Sequence, residues 1–406
     1  MRILFLSGWF PYPPDNGARM RIYNLVRQLA REHDVSLLSF VREPVCDSDR
    51  RAVDSLCQVL GTVPYHEFEP GDARGLLGLF SPVPRSVSQT FSPQMEARVQ
   101  DAVRASAFDL IVASEIGPGM CTCPYLLGLK GIPWVVEDIE LRMIWNKLQA
   151  QKTWTGLARH TLTWWKQRQY TARVLRQACG CTVASEQERE MVQRVVPGFS
   201  PLAVIPNGLD LGLYIGDWGA AVPNTLVFPG ALTYEANLDA MAFFLSDVLP
   251  LIRSQHPGVT LRITGRTDGV PLHRLALNEQ VTLTGYLEDI RPVLAQSQVC
   301  IVPLLTGGGT RLKILEAMAL GTPVVSTSRG AEGLDVTSGE ELLIADEPAE
   351  FAAAVLGLLD DRALRDRLTA NGRRLVHARY GWDQIGEKLG RFVNQVAQER
   401  KHRGVL

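Results

Sequence analysis

No stretch of the sequence holds the roughly eighteen consecutive apolar residues that a membrane-spanning helix needs, so no span is expected. The opening MRILFLSGWF has the look of a secretory leader. Its apolar core is short, no small-residue cleavage site follows, and the prolines of PYPP come next, so it reads as a first β-strand. Charge of one sign is also lacking: 42 Lys and Arg against 43 Asp and Glu leave a net charge of −1, which argues against bulk nucleic-acid binding. The seven cysteines are odd in number and scattered, which suits a reducing cytoplasm and no disulfide framework. Cys121 with Cys123, and Cys179 with Cys181, are C-x-C pairs without the C-x-x-C spacing of zinc sites or a nearby His, so no metal and no resident cofactor are expected.

What is present is an ordinary globular balance, 46% hydrophobic and 21% charged, in 406 residues, enough for two domains. Strand-sized apolar runs alternate with helical stretches from the start: RILFLS, a helix from about Ala18 to Ala30, VSLLSF, then DLIVAS, PWVVE and GCTVAS. The rhythm breaks at VIPNGLDL and the loose GDWGAAVPN, then resumes with TLVFPG, the helix NLDAMAFFLSDVLPLIRSQ, VTLRITG, VTLTGY, VCIVPLL, PVVST and ELLIA. Alternation on this scale implies parallel sheets with helices on both faces. The expectation is an α/β chain of two doubly wound Rossmann-like domains facing across a cleft. One spans residues 1–206 and the other 207–379, with a C-terminal helix over 380–402 packing back on the first.

In such sheets ligands bind beyond the carboxyl ends of the strands. The loops there in the second half, PGALTYEAN, TGRTDG, TGYLEDIRP and TGGGTRLK, all carry glycine near the strand end. Of these, TGGGTRLKILEAMALGTPVVST reads as a strand-following turn, a helix and a further strand. Gly307, Gly308 and Gly309 permit close backbone approach, Thr310 is the expected N-cap, and Gly321 with Pro323 ends the helix. A helix N-terminus behind glycines offers free amides and a partial positive charge, so an anion is the expected guest. Arg266, Arg311 and Lys313 among these loops suggest a diphosphate.

These residues, together with PYPPDNGARMRIYNLVRQLA, VTLTGYLEDIRPVLAQSQVCIVPL and RYGWDQI, resemble glycosyltransferase family 4, retaining nucleotide-sugar transferases of the GT-B fold. The GGGTRLKILEAMA form is similar to the branch associated with bacterial exopolysaccharide and cell-surface glycan assembly. The resemblance implies retaining, metal-independent transfer from a nucleotide-diphosphate sugar, as co-substrate, to a glycan or lipid-linked acceptor. It places the family's ribose-binding Glu on Glu316, base-contacting positions on Tyr286 and Leu287, and the first strand's glycine turn on Gly230. The family's preceding signature Glu falls on Gly308, and its diphosphate-bracketing Arg and Lys fall on or near Ala231 and Asn237. Arg311 and Lys313, expected on neighbouring helical turns, are the substitutes, and a non-catalytic sugar-nucleotide-binding or scaffold protein of the same fold is the alternative. Plainer roles compete: Glu316 paired with Lys313, Arg311 solvated, Arg266 capping a loop and Tyr286 packing one.

On the acceptor side the resemblance points to the loop GWFPYPPDNGARMR, where Gly17 lets the backbone approach the donor phosphate, or else simply turns into the helix. Arg21 lies one turn into that helix, as an acceptor-side or a structural residue. No general base stands out. The family's usual His is replaced by Ser114 and Glu115, and a second group of carboxylates, Glu137, Asp138 and Glu140, follows another strand.

One further absence is local. From Leu141 to Ser185 there is no Asp or Glu, yet eight Lys and Arg fall there, among them Lys166 and Arg168, beside Trp145, Trp154, Trp164 and Trp165. Cations interleaved with indoles suit a helix lying in an anionic lipid interface, so a peripheral site on the inner face of the cytoplasmic membrane is expected, centred on Trp164, Trp165, Lys166 and Arg168. The alternative is a helical excursion whose tryptophans pack inward.

Overall fold

A computed structural model of the chain describes residues 1–69, 81–115, 122–307 and 311–402. The chain folds as two units, Met1–Pro206 with Ile385–Leu406, and Asn207–Gln384.

The first unit is built on β1 (Arg2–Ser7), β2 (Asp34–Val41), β3 (Gln58–Pro64), β4 (Leu110–Ser114), β5 (Trp134–Glu137), β6 (Gly180–Val183) and β7 (Leu202–Val204), in the order β3-β2-β1-β4-β5-β6-β7. The second is built on β8 (Val222–Pro229), β9 (Thr260–Thr264), β10 (Val281–Gly285), β11 (Ser297–Val302), β12 (Val324–Ser326) and β13 (Leu343–Ile344), in the order β10-β9-β8-β11-β12-β13. Every strand pair among the described residues is parallel. In both sheets the order reverses beside the first strand of the unit, the switch point where doubly wound folds bind ligands. The central strands β4 and β5 are buried along their whole length, and β1 from its second residue on, as strands covered on both faces must be.

Two strands escaped the sequence pattern, β3 and β7, and both lie at a sheet edge. QVLGTVP carries a glycine and closes on proline, and LAV is three residues long with none fully buried, so neither shows the continuous apolar run of a central strand. The helix expected from Asn237 to Gln255 begins at Glu235 and changes pitch. It is α-helical over Glu235–Phe243, π-helical over Phe244–Val248 and α-helical again over Leu249–Gln255. Pro250 accounts for this, since it has no amide to donate and its ring crowds the preceding turn.

The chain enters and leaves the second unit by adjacent paths. The Leu209 amide donates to the Tyr380 carbonyl at 2.8 Å and the Trp382 amide to the Leu209 carbonyl at 3.1 Å. The helix Trp382–His402 then returns to the first unit, where Phe392 and Val396 press so closely on Gly180 of β6 that a Cβ there would lie 2.9 Å and 3.1 Å from them.

Candidate functional site

In the second unit, β8 runs through the buried Leu226, Val227 and Phe228 and ends by delivering Gly230. A Cβ at Gly230 would sit 2.8 Å from both the Asn237 Nδ2 and the Lys313 Nζ, so only glycine lets these two groups converge on the strand end. Asn237 is held by donating from Nδ2 to the Ala231 carbonyl at 2.8 Å. Its Oδ1 accepts from Lys313 Nζ at 3.0 Å, and the same ammonium lies 4.4 Å from the centre of the Phe228 ring. Lys313 thus reaches the position where the resemblance placed the family's lysine, from a different helix. The desolvation of this half-buried site pushes its ammonium down to about 8.

Glu316, one turn along the helix Leu312–Leu320, accepts from the Tyr214 hydroxyl at 3.0 Å. Burial raises the carboxyl above its usual range, against the opposing pull of the Tyr214 hydrogen bond and the Lys313 charge. Burial and the facing carboxylate likewise raise the Tyr214 phenol. Among the described residues, Lys313 and Glu316 bond Asn237 and Tyr214 and make no ion pair with each other.

No side chain caps the helix Leu312–Leu320 among the described residues. Gly308, Gly309 and Thr310, the expected ligand-facing turn and N-cap, lie outside the described residues, and the N-cap position is Arg311. Arg311 was expected beside Lys313 on the diphosphate, and its side chain is engaged with the main chain. Its side chain is 5% exposed, and its Nη2 donates to the main-chain carbonyls of Gly307 and Arg329, both at 3.1 Å. Arg311 therefore fastens the turn before the helix. Its backbone is non-helical.

The loops after β8 and β9 touch: Gly265 has a φ of +97°, and a Cβ there would be 2.6 Å from the Ala231 backbone. This contact leaves Arg266 exposed, with its guanidinium 5.5 Å from the centre of the exposed Tyr286 ring. Leu287 follows, half-buried. Arg266 and Tyr286 come together as a stacked pair, while Gly230, Lys313 and Glu316 gather around Asn237 and Tyr214.

Sequence reasoning missed Asn237 and Tyr214 as site residues. Asn237 was read only as a departure from a charged pattern, and Tyr214 sits at the end of NGLDLGLY, which had served as a domain boundary. The usable signal was Asn237 itself, buried in the first turn of its helix just beyond a strand-following glycine.

The first unit assembles a different cluster at the carboxyl end of β5. Arg21, 1% exposed, meets Glu137 Oε1 through Nη2 at 2.5 Å and through Nε at 2.8 Å, and meets Asp138 Oδ2 at 3.2 Å. Ser114 at the end of β4 donates to Glu137 Oε2 at 2.8 Å. Asp138 is buried, has a φ of +61°, rare for a residue with a side chain, and its Oδ1 has no hydrogen-bond partner among the described residues. Burial outweighs Arg21 in raising the Glu137 carboxyl. Burial also raises Glu188, to about 7; its oxygens accept from the amides of Leu141 at 2.9 Å and Arg142 at 3.1 Å, at the start of the helix Arg142–Gln149.

Glu115 does not join this cluster. Its Oε1, expected on the acceptor side, accepts from the Thr122 amide at 2.5 Å and the Cys123 amide at 2.6 Å, so it ties down the short turn Cys123–Tyr125. Gly17 is the first residue of the helix Gly17–Leu29, whose cap is Asn16, accepting from the Arg19 amide at 3.0 Å. A Cβ at Gly17 would meet nothing within 4 Å and its φ is not positive, so the fold makes no demand for glycine there and the space above it is open.

The basic window divides between both expectations. Lys166 is buried, 5% exposed, and is removed from any docking face. Trp164 is half-buried against the core of the first unit, 5.1 Å from Trp145 between ring centres. Trp165 and Arg168 are exposed.

Comparison with known proteins agrees in both halves. The family model "Glycosyl transferase 4-like domain" matches residues 16–208, and "Glycosyl transferases group 1" matches residues 223–361. The glycogen synthase of Mycobacterium tuberculosis is 28% identical over 220 residues, 50% of this chain and 51% of that protein. The phosphatidyl-myo-inositol mannosyltransferase of Mycolicibacterium smegmatis is 29% identical over 203 residues, 48% of this chain and 52% of that protein. The chain thus spans about half the length of the curated relatives it matches. Among solved structures, the Anabaena protein HepE in complex with UDP superposes with a TM-score of 0.67 at 16% identity, covering 97% of this chain and 100% of that one. The sucrose-phosphate synthase of Thermosynechococcus elongatus gives 0.64 at 19% identity, covering 98% and 99%. With two parallel Rossmann-like sheets of the GT-B kind and a matching family model over each half, the chain belongs to the GT4-type glycosyltransferases.

Proposed function

We propose that the protein transfers a glycosyl group from a nucleotide-diphosphate sugar to a glycan or lipid-linked acceptor, with retention and without metal, in bacterial surface polysaccharide synthesis on the cytoplasmic side of the membrane. One observation carries the reading: at the end of β8, Glu316 and Lys313 stand on successive turns of one helix, each held by a neutral partner and neither neutralised by the other. A carboxylate so held suits the two ribose hydroxyls, and a cation so held suits the diphosphate. The uncapped N-terminus of the same helix adds amides to the anion site.

In the proposed step the bond from the anomeric carbon to the phosphate oxygen breaks as the bond to the acceptor oxygen forms on the same face. The acceptor proton passes to the departing phosphate oxygen. Lys313 stabilises the charge that develops there, the largest single contribution in most such sites. On the acceptor side, Gly17 leaves open space beside its backbone, while Asp138 is buried and completes the Arg21 cluster. The one Asp-x-Asp pattern, Asp47-Ser48-Asp49, lies in the first turn of the helix Asp47–Asp54. The reading gives it no metal to hold.

The glycine at 308, where the family carries a Glu, favours a second reading, a sugar-nucleotide-binding protein without turnover. A thermal-shift screen of UDP, GDP, TDP and ADP with their sugars, followed by a transfer assay in excess EDTA, separates the two. Stabilisation with transfer and a retained anomeric configuration supports the first. Stabilisation with no transfer to any glycan or lipid acceptor supports the second, and an inverted product overturns the retaining mechanism.

A further inference from the structure

We propose that the outer face of the helix Trp154–Leu175 docks on an anionic lipid surface. Trp154 is 82% exposed and Trp165 51%, and Leu157 and Leu162 are exposed between them. At 3.6 residues per turn these four, with Ala158, fall within about 140° of arc, so they form one apolar stripe along the first three turns. An exposed stripe headed and closed by indoles is costly in water and has no covering partner among the described residues.

The charge around the stripe decides what covers it. Lys147, Lys152, Arg159 and Arg168 are exposed around it, and none pairs with a carboxylate among the described residues. The sequence offers them no local acid between Leu141 and Ser185. A protein partner with a hydrophobic groove would satisfy the stripe alone; a lipid surface with anionic headgroups satisfies the stripe and the single-sign rim together. The helix lies on such a surface and does not cross it, because no helix among the described residues is long and apolar enough to span a membrane.

Packing on the core makes the presentation rigid. Lys166, Tyr170 and Val174 are buried on the far side of the helix, Leu175 is buried in its last turn beyond the stripe, and Trp164 at the edge of the stripe packs on Trp145. The docking residues are thus Trp154, Leu157, Leu162 and Trp165, of which only Trp165 belonged to the set expected from sequence. This inference does not rest on the donor site, and nucleotide binding and vesicle binding can fail independently.

Co-sedimentation of the full chain with phosphatidylglycerol–phosphatidylcholine vesicles, and with phosphatidylcholine vesicles alone, tests it at low and high salt. The wild-type protein is expected to pellet with the anionic vesicles at least about tenfold more strongly than with neutral ones, less so at high salt. Trp154→Ala with Trp165→Ala should weaken vesicle binding by about tenfold at both salt concentrations, since the apolar part is not screened. Lys152→Ser, Arg159→Ser and Arg168→Ser together should act mainly at low salt. All five side chains are exposed, so an unchanged melting temperature is expected and is measured alongside. Wild-type protein left in the supernatant with anionic vesicles at low salt overturns the proposal, as does wild-type binding by the double Trp variant. Concentration-dependent self-association abolished by the Trp changes, without vesicle binding, would assign the stripe to a second copy of the chain and also overturn it.

Discussion

Each unit sets a cation and carboxylates at the carboxyl end of a central parallel strand, and the two arrangements are opposites. In the first, Arg21 is sealed against Glu137 and Asp138, with every contact direct and the guanidinium 1% exposed. In the second, Lys313 and Glu316 are half-buried neighbours kept on separate neutral partners, Asn237 and Tyr214. The first design satisfies a buried charge within the protein and leaves one strained carboxylate, Asp138, with an oxygen to spare. The second leaves both charges available to a guest. A closed pair organises the backbone around it, and an unclosed pair keeps its charges unneutralised by each other.

The largest effect that separates them is on stability. Arg21→Met strands Glu137 and Asp138 in the core and should cost about 3–5 kcal/mol, read as a loss in the chemical denaturation of the first unit. A cost near zero would mean that the cluster is not closed as described. Next comes binding: Glu316→Ala should leave the melting temperature within a few degrees while weakening binding of the nucleoside diphosphate selected by the thermal-shift screen by about 1.5–3 kcal/mol in calorimetry. An unfolded variant, or unchanged nucleotide affinity in a folded one, would erase the contrast between the units.

The third effect is one of pH. Lys313 carries its charge below about 8 and loses it above, so affinity for that nucleoside diphosphate should fall as the pH rises past about 8. The fall should approach about 1.4 kcal/mol per pH unit, and Lys313→Met should bind weakly with a flat profile. A profile that persists in that variant would locate the titrating cation elsewhere. Smallest is Tyr214→Phe, which removes only the hydroxyl that holds Glu316 and should weaken nucleotide binding by about 0.5–1.5 kcal/mol. A gain in affinity would instead show that the hydroxyl competes with the ribose for the carboxylate.

The legible parts of the molecule were those written in local pattern. Central strands announced themselves as unbroken apolar runs, Gly321 with its φ of +83° ended its helix as expected, and VIPNGLDL marked the chain's passage out of the first unit. The edge strands β3 and β7 did not, because a strand with one free edge and partial exposure loses the continuous apolar signature. That Lys313 and Glu316 are neighbours was legible from their spacing on one helix, whereas Arg311, expected inside that helix, is its N-cap position.

By itself the sequence determined the two α/β units, the strand-following glycine turns and the lone carboxylate helix, because each is encoded by residues near one another in the chain. Tertiary structure alone decided which charges meet. Arg21 finds Glu137 across 116 positions, Tyr214 finds Glu316 across 102 and Lys313 finds Asn237 across 76. It also decided that Lys166 is buried while Trp154 lies open, since the side of a helix that faces the core depends on what packs there, and single-sequence periodicity holds no record of that partner.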